Sequence, residues 1–581
     1  MDPVIVVGAG PVGLALSLCL ATQGVPVVVL DEGAGKDEPR PARTAVLRPD
    51  TAALMARLGC STLRDEGAWW VGWRQLRRKQ QMRQLPLGDA EEAGGASGAG
   101  GTGAGGPGAG PGPGGVGAGG SAGACAGDGD RAEPVFPSPL HLPQHALTRG
   151  LRDAVARHGL VRLVTDSRLD SLEQDARGVT VHTRGPGATW WRGSHVVGCD
   201  GARSTVRKLL GVRFPGRTAV ERHAVAALRV ELPWPGEAVL HRQPPWRGGG
   251  QEVSARPLAD GVWRLDWLLP ARGDLVTPEA LLARVRDTLA GWCGETPQYD
   301  LLDTGVYTLH HRLARRWRVE RAFLAGDAAH LLGALGTQGL DEGLRDADNL
   351  GWKLAHAWHH GASETLLDSY QAERRTAVAA RLRAADQSLT ILRGGGGLRT
   401  YLGSARGHDA LLADGHLGHG PLGAPPAYPH SPLAPPYTEA HTTVDTRTGA
   451  PVEDVLVTAP DGTTVRLRDR LGRGSMLVVL VAPGTGVWDR RHWLTAGVMP
   501  RLAEAVAALP APAELLVTES YPGASAHSVL LVRPDGHLVA AFGGVRPDEL
   551  YAAADAARGG VPESSPAKDR SDRTGRTANI N

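Results

Sequence analysis

Three short apolar strands in this chain each run into a Gly- or Asp-bearing turn and then toward a helix. Val4-Ile5-Val6-Val7 leads into Gly8-Ala9-Gly10-Pro11-Val12-Gly13. His195-Val196-Val197-Gly198 leads into Cys199-Asp200-Gly201-Ala202-Arg203-Ser204-Thr205-Val206-Arg207. Ala322-Phe323-Leu324-Ala325 leads into Gly326-Asp327-Ala328-Ala329-His330. Continuous apolar runs of this kind suit parallel strands buried on both faces. One glycine turn says little. Three, widely separated and in this order, describe a chain that returns three times to one extended ligand.

The first turn opens a complete βαβ unit, with a helix from about Val12 to Gln23, a capping Gly24 and a second buried strand, Val27-Val28-Val29-Leu30, that ends at Asp31-Glu32. Gly8 suits the tight turn, Gly10 the close approach of backbone to a pyrophosphate, and Gly13 the close packing of helix on strand. The helix N-terminus offers unpaired N–H groups and partial positive charge to phosphates. Asp31, ahead of Glu32, is placed to accept hydrogen bonds from a ribose diol. Asp200 and Asp327 are candidate ligand contacts, although a turn aspartate is also an ordinary backbone cap. The helix starting near Leu340 directs its N-terminal dipole toward the same region, with Asp341 and Glu342 in its first turn.

A net charge of +2 over 581 residues lacks the one-signed excess of a nucleic-acid or membrane-surface protein. Cys19, Cys60, Cys125, Cys199 and Cys293 are far apart, odd in number and never in a C-x-x-C pair, so free thiols in a reducing compartment are expected and no metal site is. No basic region precedes the first strand and no apolar run reaches membrane-spanning length, which predicts a cytoplasmic protein without a signal peptide.

The Gly/Ala/Pro tract at 93–129 has no collagen-like period and reads as a flexible loop. Between about 214 and 270 the pattern changes to alternating stretches rich in Trp and Val, such as Gly261-Val262-Trp263-Arg264-Leu265-Asp266-Trp267, which predict an antiparallel sheet exposed on one face. Helical spacing returns over 340–359 and 363–388. A Gly/Pro-rich linker follows, then a small α/β domain with strands such as Met476-Leu477-Val478-Val479-Leu480-Val481, and a polar tail from 559.

On these motifs the chain resembles the class A FAD-dependent aromatic hydroxylases, the flavoprotein monooxygenases of the p-hydroxybenzoate hydroxylase fold, over about residues 1–390. Cys199–Arg207 matches the family's DG motif, Gly326-Asp327 its GD motif, and 346–355 the helix that follows. The resemblance implies a Rossmann-like α/β FAD-binding domain (1–213 and 301–390) with an inserted antiparallel-sheet substrate domain (214–300). A linker (391–440), a thioredoxin-like α/β domain (441–557) and a disordered tail (558–581) complete the expected order. Arg43 and Gln144 stand where family members place FAD-contacting side chains, with Arg48 a further candidate; Gly339 and Leu340 stand at the flavin-facing loop. After His330 the family's usual Pro-Pro pair and later Asn are absent, and Asp341 takes the Asn position. The thioredoxin-like domain carries no C-x-x-C and is expected to have a structural or dimer-contact role.

The implied activity is that of a monooxygenase in which NADPH or NADH reduces FAD, and oxygen taken up as a flavin hydroperoxide passes to an aromatic or polyketide-like small molecule. No second dinucleotide fingerprint is present, in keeping with that scheme. Catalytic residues are not assigned: His223, His241 or Tyr307 are candidates to deprotonate a phenol, each also readable as packing or surface. Trp263 and Trp267 share a strand face and suit either an apolar substrate pocket or ordinary sheet packing. Baeyer–Villiger, epoxidising or dehydrogenating chemistry on the same scaffold, or a flavin-binding regulator without turnover, are the alternatives.

Overall fold

The computed structural model describes residues 1–36, 38–88, 136–186, 188–246, 252–269, 276–333, 338–361, 363–392, 413–484 and 497–560. The Gly-rich tract at 93–129, much of the linker, residues 334–337 and the tail beyond 560 lie outside them. Val4–Val7 is fully buried and sits near the middle of a six-stranded sheet in the order Arg318–Val319, Ala322–Leu324, His195–Gly198, Val4–Val7, Val27–Leu30, Val161–Val164. All strands but the first run parallel. The chain leaves Val4–Val7 toward one side of the sheet and later returns on the other, so the order reverses between this strand and His195–Gly198. Ligands bind at such a switch, outside the carboxyl ends of the strands.

The register brings the three turns to that one edge. Val7 lies opposite Gly198, and Gly198 opposite Leu324. The helix Pro11–Ala21 starts with Pro at its first position, where no N–H is needed, and is almost wholly buried against the long helix Gln338–His360. A Cβ on Gly351 would stand 2.8 Å from Cys19 Cβ, so glycine is what lets these two helices approach.

The expected antiparallel sheet is part of a larger, mixed sheet that extends beyond the 214–300 span, with parallel pairing between Glu237–Arg242 and Gly72–Arg77 and between Gln80–Gly88 and Phe136–Pro137. Nine strands run in the order His330–Leu332, Asp300–Leu313, Gly216–Arg229, Val262–Leu269, Glu252–Pro257, Glu237–Arg242, Gly72–Arg77, Gln80–Gly88, Phe136–Pro137. Strands from 72–88 and 300–313 complete it because edge pairing is set by space and not by proximity in the chain. One face, with Trp263, Leu265 and Trp267, packs on the helix Pro278–Cys293 through Leu281, Val285 and Leu289. Trp267 Nε1 donates to Thr288 Oγ1 on that helix (3.1 Å). The two tryptophans are therefore sheet packing. The opposite face is polar but not exposed: Arg256, Arg264 and Asp266 are all buried. This corrects the expected solvent face, since period-2 alternation distinguishes faces without saying what covers them.

The C-terminal unit contains Met476–Val481, helix Met499–Ala507, Ala513–Thr518, Val529–Val532, Leu538–Phe542 and helix Pro547–Ala557. Its four core strands lie in the order Ala513–Thr518, Met476–Val481, Val529–Val532, Leu538–Phe542, the first pair parallel and the others antiparallel, which is a thioredoxin-like arrangement. It holds no cysteine.

Buried ions join this unit to the first. Glu373 sits on a π-helical turn, Gln371–Arg375, and accepts from Lys353 Nζ (2.7 Å), Asn349 Nδ2 (2.8 Å) and both terminal nitrogens of Arg533 (2.6 and 3.0 Å) from the C-terminal unit. Arg533 also pairs with Asp535, which accepts from Asn349. Burial by itself would raise the Glu373 carboxyl, but Arg533 and Lys353 outweigh it and hold it below the ordinary carboxylate range. Such a group stabilises the fold above the carboxylate range, and that contribution drains away as pH falls through its depressed value. Thermal melts should accordingly be flat near neutrality and fall below about pH 4. Arg533→Met, which removes the cation that Glu373 and Asp535 share, should cost about 3–5 kcal/mol in denaturant unfolding.

Candidate functional site

At the first turn Gly8 adopts φ +105°, and a Cβ there would lie 2.5 Å from the Cys199 carbonyl oxygen, so the Gly8 and Asp200 turns touch. At the third, Gly326 has φ +59° and lies against the Val12 side chain, which Gly343 of the long helix also contacts. Arg207 ties the second turn to the third, donating to Ala202 O and Ala328 O (2.8 Å each). Asp200 Oδ2 accepts from Thr205 N (2.6 Å) and Val206 N (3.0 Å), and Ser204 caps the same helix through Arg207 N. Its Oδ1 is buried with no partner.

Asp31 Oδ2 accepts from Ala9 N (2.6 Å) inside the first turn, whereas Glu32 is exposed and turned toward Arg168. Asp31, not Glu32, thus stands at the glycine turn. Asp327 is reached by solvent, yet the protein around it raises its carboxyl above the usual value, an effect His330 and Arg43 oppose. Arg43 Nε donates to Gln144 Oε1 (2.8 Å), and both line a cavity of about 460 Å³ together with Gly339 and Leu340. The structure therefore places Gly8, Gly10, Gly13, Asp31, Asp200, Gly326 and Asp327 at the turns and Arg43, Gln144, Gly339 and Leu340 at the cavity, and leaves Glu32 outside both.

Arg48 belongs to neither. It is buried and paired with Asp341 (3.0 Å), whose other oxygen accepts from Thr51 Oγ1 (2.6 Å). Asp341 is thereby engaged by Arg48, and Glu342 is paired with Arg345, Arg374 and Arg381, so the acids in the first turn are offset by arginines. This corrects the reading of Arg48 as a cofactor contact.

The cavity floor is the polar face of the nine-stranded sheet. Cross-strand register sets Arg264 between Arg256 and Ala227, Asp266 between Ser254 and Val225, and His223 between Leu268 and Tyr307. Asp266 binds His223 Nδ1 (2.5 Å), Tyr307 OH (2.7 Å) and Arg264 (3.1 Å). Burial alone would raise its carboxyl, but the hydrogen bond from His223 and the charge of Arg264 hold it below the usual range, so it is ionised. Burial and the Asp266 charge raise Tyr307, which stays protonated. His241 is elsewhere, binding Arg78 O and Trp292. The Asp266–Arg264 centre was not among the predicted site residues; its one signal was two charges alternating with tryptophans along 262–269.

The residues fit an FAD. Gly10 and Gly201 have nothing within 4 Å of where a Cβ would stand, Gly339 likewise, and the orphaned Asp200 oxygen lies on the same loops. Residues 1–385 match the family model described as FAD binding domain. Rifampicin monooxygenase of Streptomyces venezuelae is 32% identical over 385 residues, covering 64% of this chain and 68% of that protein. A 3-(3-hydroxy-phenyl)propionate/3-hydroxycinnamic acid hydroxylase of Mycolicibacterium smegmatis is 36% identical over 225 residues, 37% of each chain. The crystal structure of the flavin-dependent monooxygenase PieE with FAD and substrate shares the fold, with TM-score 0.70 at 20% identity over 96% of this chain and 98% of that one.

Gly10 and Gly13 separate folding from ligand binding. A Cβ on Gly13 would lie 2.0 Å from Gly8 O, so Gly13→Val should fail to fold. Gly10→Val should melt like the parent but purify without yellow colour, read by absorbance at 450 nm (about ten-fold or greater loss of FAD occupancy, worth ~1.4 kcal/mol or more).

Proposed function

The chain belongs to the FAD binding domain family, and on that footing we propose that it hydroxylates an aromatic or polyketide-like small molecule, with NADPH or NADH as reductant. The carrying observation is the convergence of the three turns at one edge of the parallel sheet, together with a polar-floored cavity lined by Arg43, Gln144, Gly339 and Leu340. FAD, when bound, supplies the redox and oxygen chemistry; the turns at Gly8, Asp200 and Gly326 hold it. The protein works in the cytoplasm; among the described residues no helix is long and apolar enough to cross a membrane.

What the chain itself adds is placement and a proton acceptor. A ring carbon accepts an electrophilic oxygen more readily when an ortho or para hydroxyl is ionised. Ionised Asp266 takes the Nδ1–H of His223, which leaves Nε2 as the lone-pair nitrogen of a side chain lining the cavity. His223 accepts the phenolic proton there. Tyr307 stacks on the imidazole at 5.3 Å between centroids, and its hydroxyl donates to the same carboxylate, fixing the ring plane. Arg264 anchors the carboxylate and reaches Thr44 Oγ1 (2.7 Å) at the cavity rim.

NADPH consumption by the yellow protein should rise when an accepted phenolic polycycle is added, and the product should be heavier by one oxygen atom. Consumption without oxygen transfer to any phenol would remove this reading. Asp266→Asn should lower kcat/KM about 10²-fold, and less for a fluorinated phenol already ionised at the assay pH; equal loss on both would show that Asp266 acts only on packing.

A further inference from the structure

A second concave surface, apart from the turns and the cavity floor, gathers positive charge. Between the helix Pro49–Arg57 and the C-terminal segment 466–473 lies a cleft of about 580 Å³, which shares no lining residue with the cavity described above. Arg57 and Arg64 line it from the half that carries the three turns, and Arg466, Arg468 and Arg473 from the C-terminal unit. Asp348 and Asp469 are the acids among its lining residues. Five cations against two anions around one cleft focus a positive field there.

Arg64, Arg466 and Arg473 pair with no carboxylate among the described residues. Arg64 lies over the Trp69 ring, 5.5 Å from its centroid. Arg466 donates to Asp454 O (3.1 Å) and Arg473 to Asp469 O (3.3 Å), both backbone carbonyls. Arg468 does hold the Asp454 carboxylate (2.9 Å), and Arg57 stands 3.5 Å from Asp348, whose carboxyl burial raises above its usual value. Two donors on lining residues are also buried without an acceptor. They are Arg57 Nε and the indole Nε1 of Trp352, a residue 3% exposed. Surplus donors and surplus positive charge in one cleft call for the same thing, an acceptor that is an anion.

We propose that this cleft is a second ligand site, and that its ligand is a diphosphate-bearing small molecule held by Arg64, Arg466 and Arg473. A diphosphate suits it better than a single carboxylate, because these arginines come from two walls and phosphate oxygens carry charge in several directions. The cleft has the size of a small-molecule site, and Ala52, Ala56, Leu58 and Trp69 leave apolar wall for an attached ring. Such a ligand touches both units. Gly472 N donates to Pro534 O (2.9 Å), which ties the arginine segment to Arg533 and Asp535, the residues that dock on Glu373 and Asn349. Occupancy therefore tightens the docking of the C-terminal unit without entering the reaction.

The test uses the FAD-loaded protein, whose flavin turns are already filled, and calorimetric titration with ADP, inorganic pyrophosphate and adenosine. ADP or pyrophosphate should bind with a Kd of about 0.1 mM or tighter, and adenosine at least about ten-fold more weakly. Tighter binding of ADP than of pyrophosphate assigns a nucleotide, and equal binding assigns a free diphosphate. Arg64→Glu combined with Arg473→Glu should weaken the diphosphate about ten-fold or more. Arg177→Glu, at an exposed arginine outside the cleft, should leave it within about two-fold. Both proteins should keep the yellow flavin absorbance of the parent; should the paired variant lose it, Arg473→Ala alone, at an exposed side chain, should still weaken binding about three-fold. The diphosphate should raise the melting temperature of the parent and not that of the paired variant. No binding of either diphosphate at millimolar concentration, equal binding of adenosine, or undiminished binding by the arginine variants would each overturn the proposal.

Discussion

The carboxylate of Asp346 is the point on which the cofactor half of the molecule hangs. It is fully buried and accepts from Gly326 N (2.9 Å), His330 Nε2 (2.8 Å) and Arg374 Nε (2.8 Å). One side chain on the long helix thus fixes the third ligand turn, the strand that leaves it and the helix behind it. Arg374 then spans Glu342 and Asp346 and reaches Tyr428 of the linker. Arg374 and Glu373 are consecutive, and a regular helix would turn neighbouring side chains about 100° apart. Here both meet buried partners across the π-helical turn. One faces the flavin half and the other faces Arg533 of the C-terminal unit.

That arrangement gives the thioredoxin-like unit a physical role. It contributes no thiol, but its Arg533 and Asp535 close a charge network that would otherwise leave Glu373 balanced by Lys353 alone. Burial already lowers the Lys353 ammonium to about 8, so its charge is held in place by its neighbours and not by solvent. The desolvation of these ions is offset only when every partner is present. Docking is accordingly specific in position without needing a large apolar seam.

The turns were legible in the sequence because their demands are local. A positive φ at Gly8, a close helix at Gly13 and a cap at Asp200 follow from a few consecutive residues and need no knowledge of distant strands. The cavity floor was not legible in the same way. His223, Asp266, Tyr307 and Arg256 lie on four strands, and only cross-strand register makes them neighbours. The alternation of Trp263, Arg264, Leu265 and Asp266 announced two faces, and solvent was assigned to the charged one; a loop at 40–44 and the segment carrying His416 cover it instead. Arg48 was misplaced for a related reason, because its partner Asp341 is almost three hundred residues away.

The nine-stranded sheet keeps its two faces chemically separate, with aromatic packing against one helix on one side and the charged floor on the other. Because successive side chains on a strand point in opposite directions, residues 252, 254 and 256 can change identity while 253 and 255 go on filling the core. Selectivity is in this way uncoupled from foldability. Relatives built on the same strands are free to drift toward new molecules by exchanging alternate positions, with little toll on the scaffold that carries them.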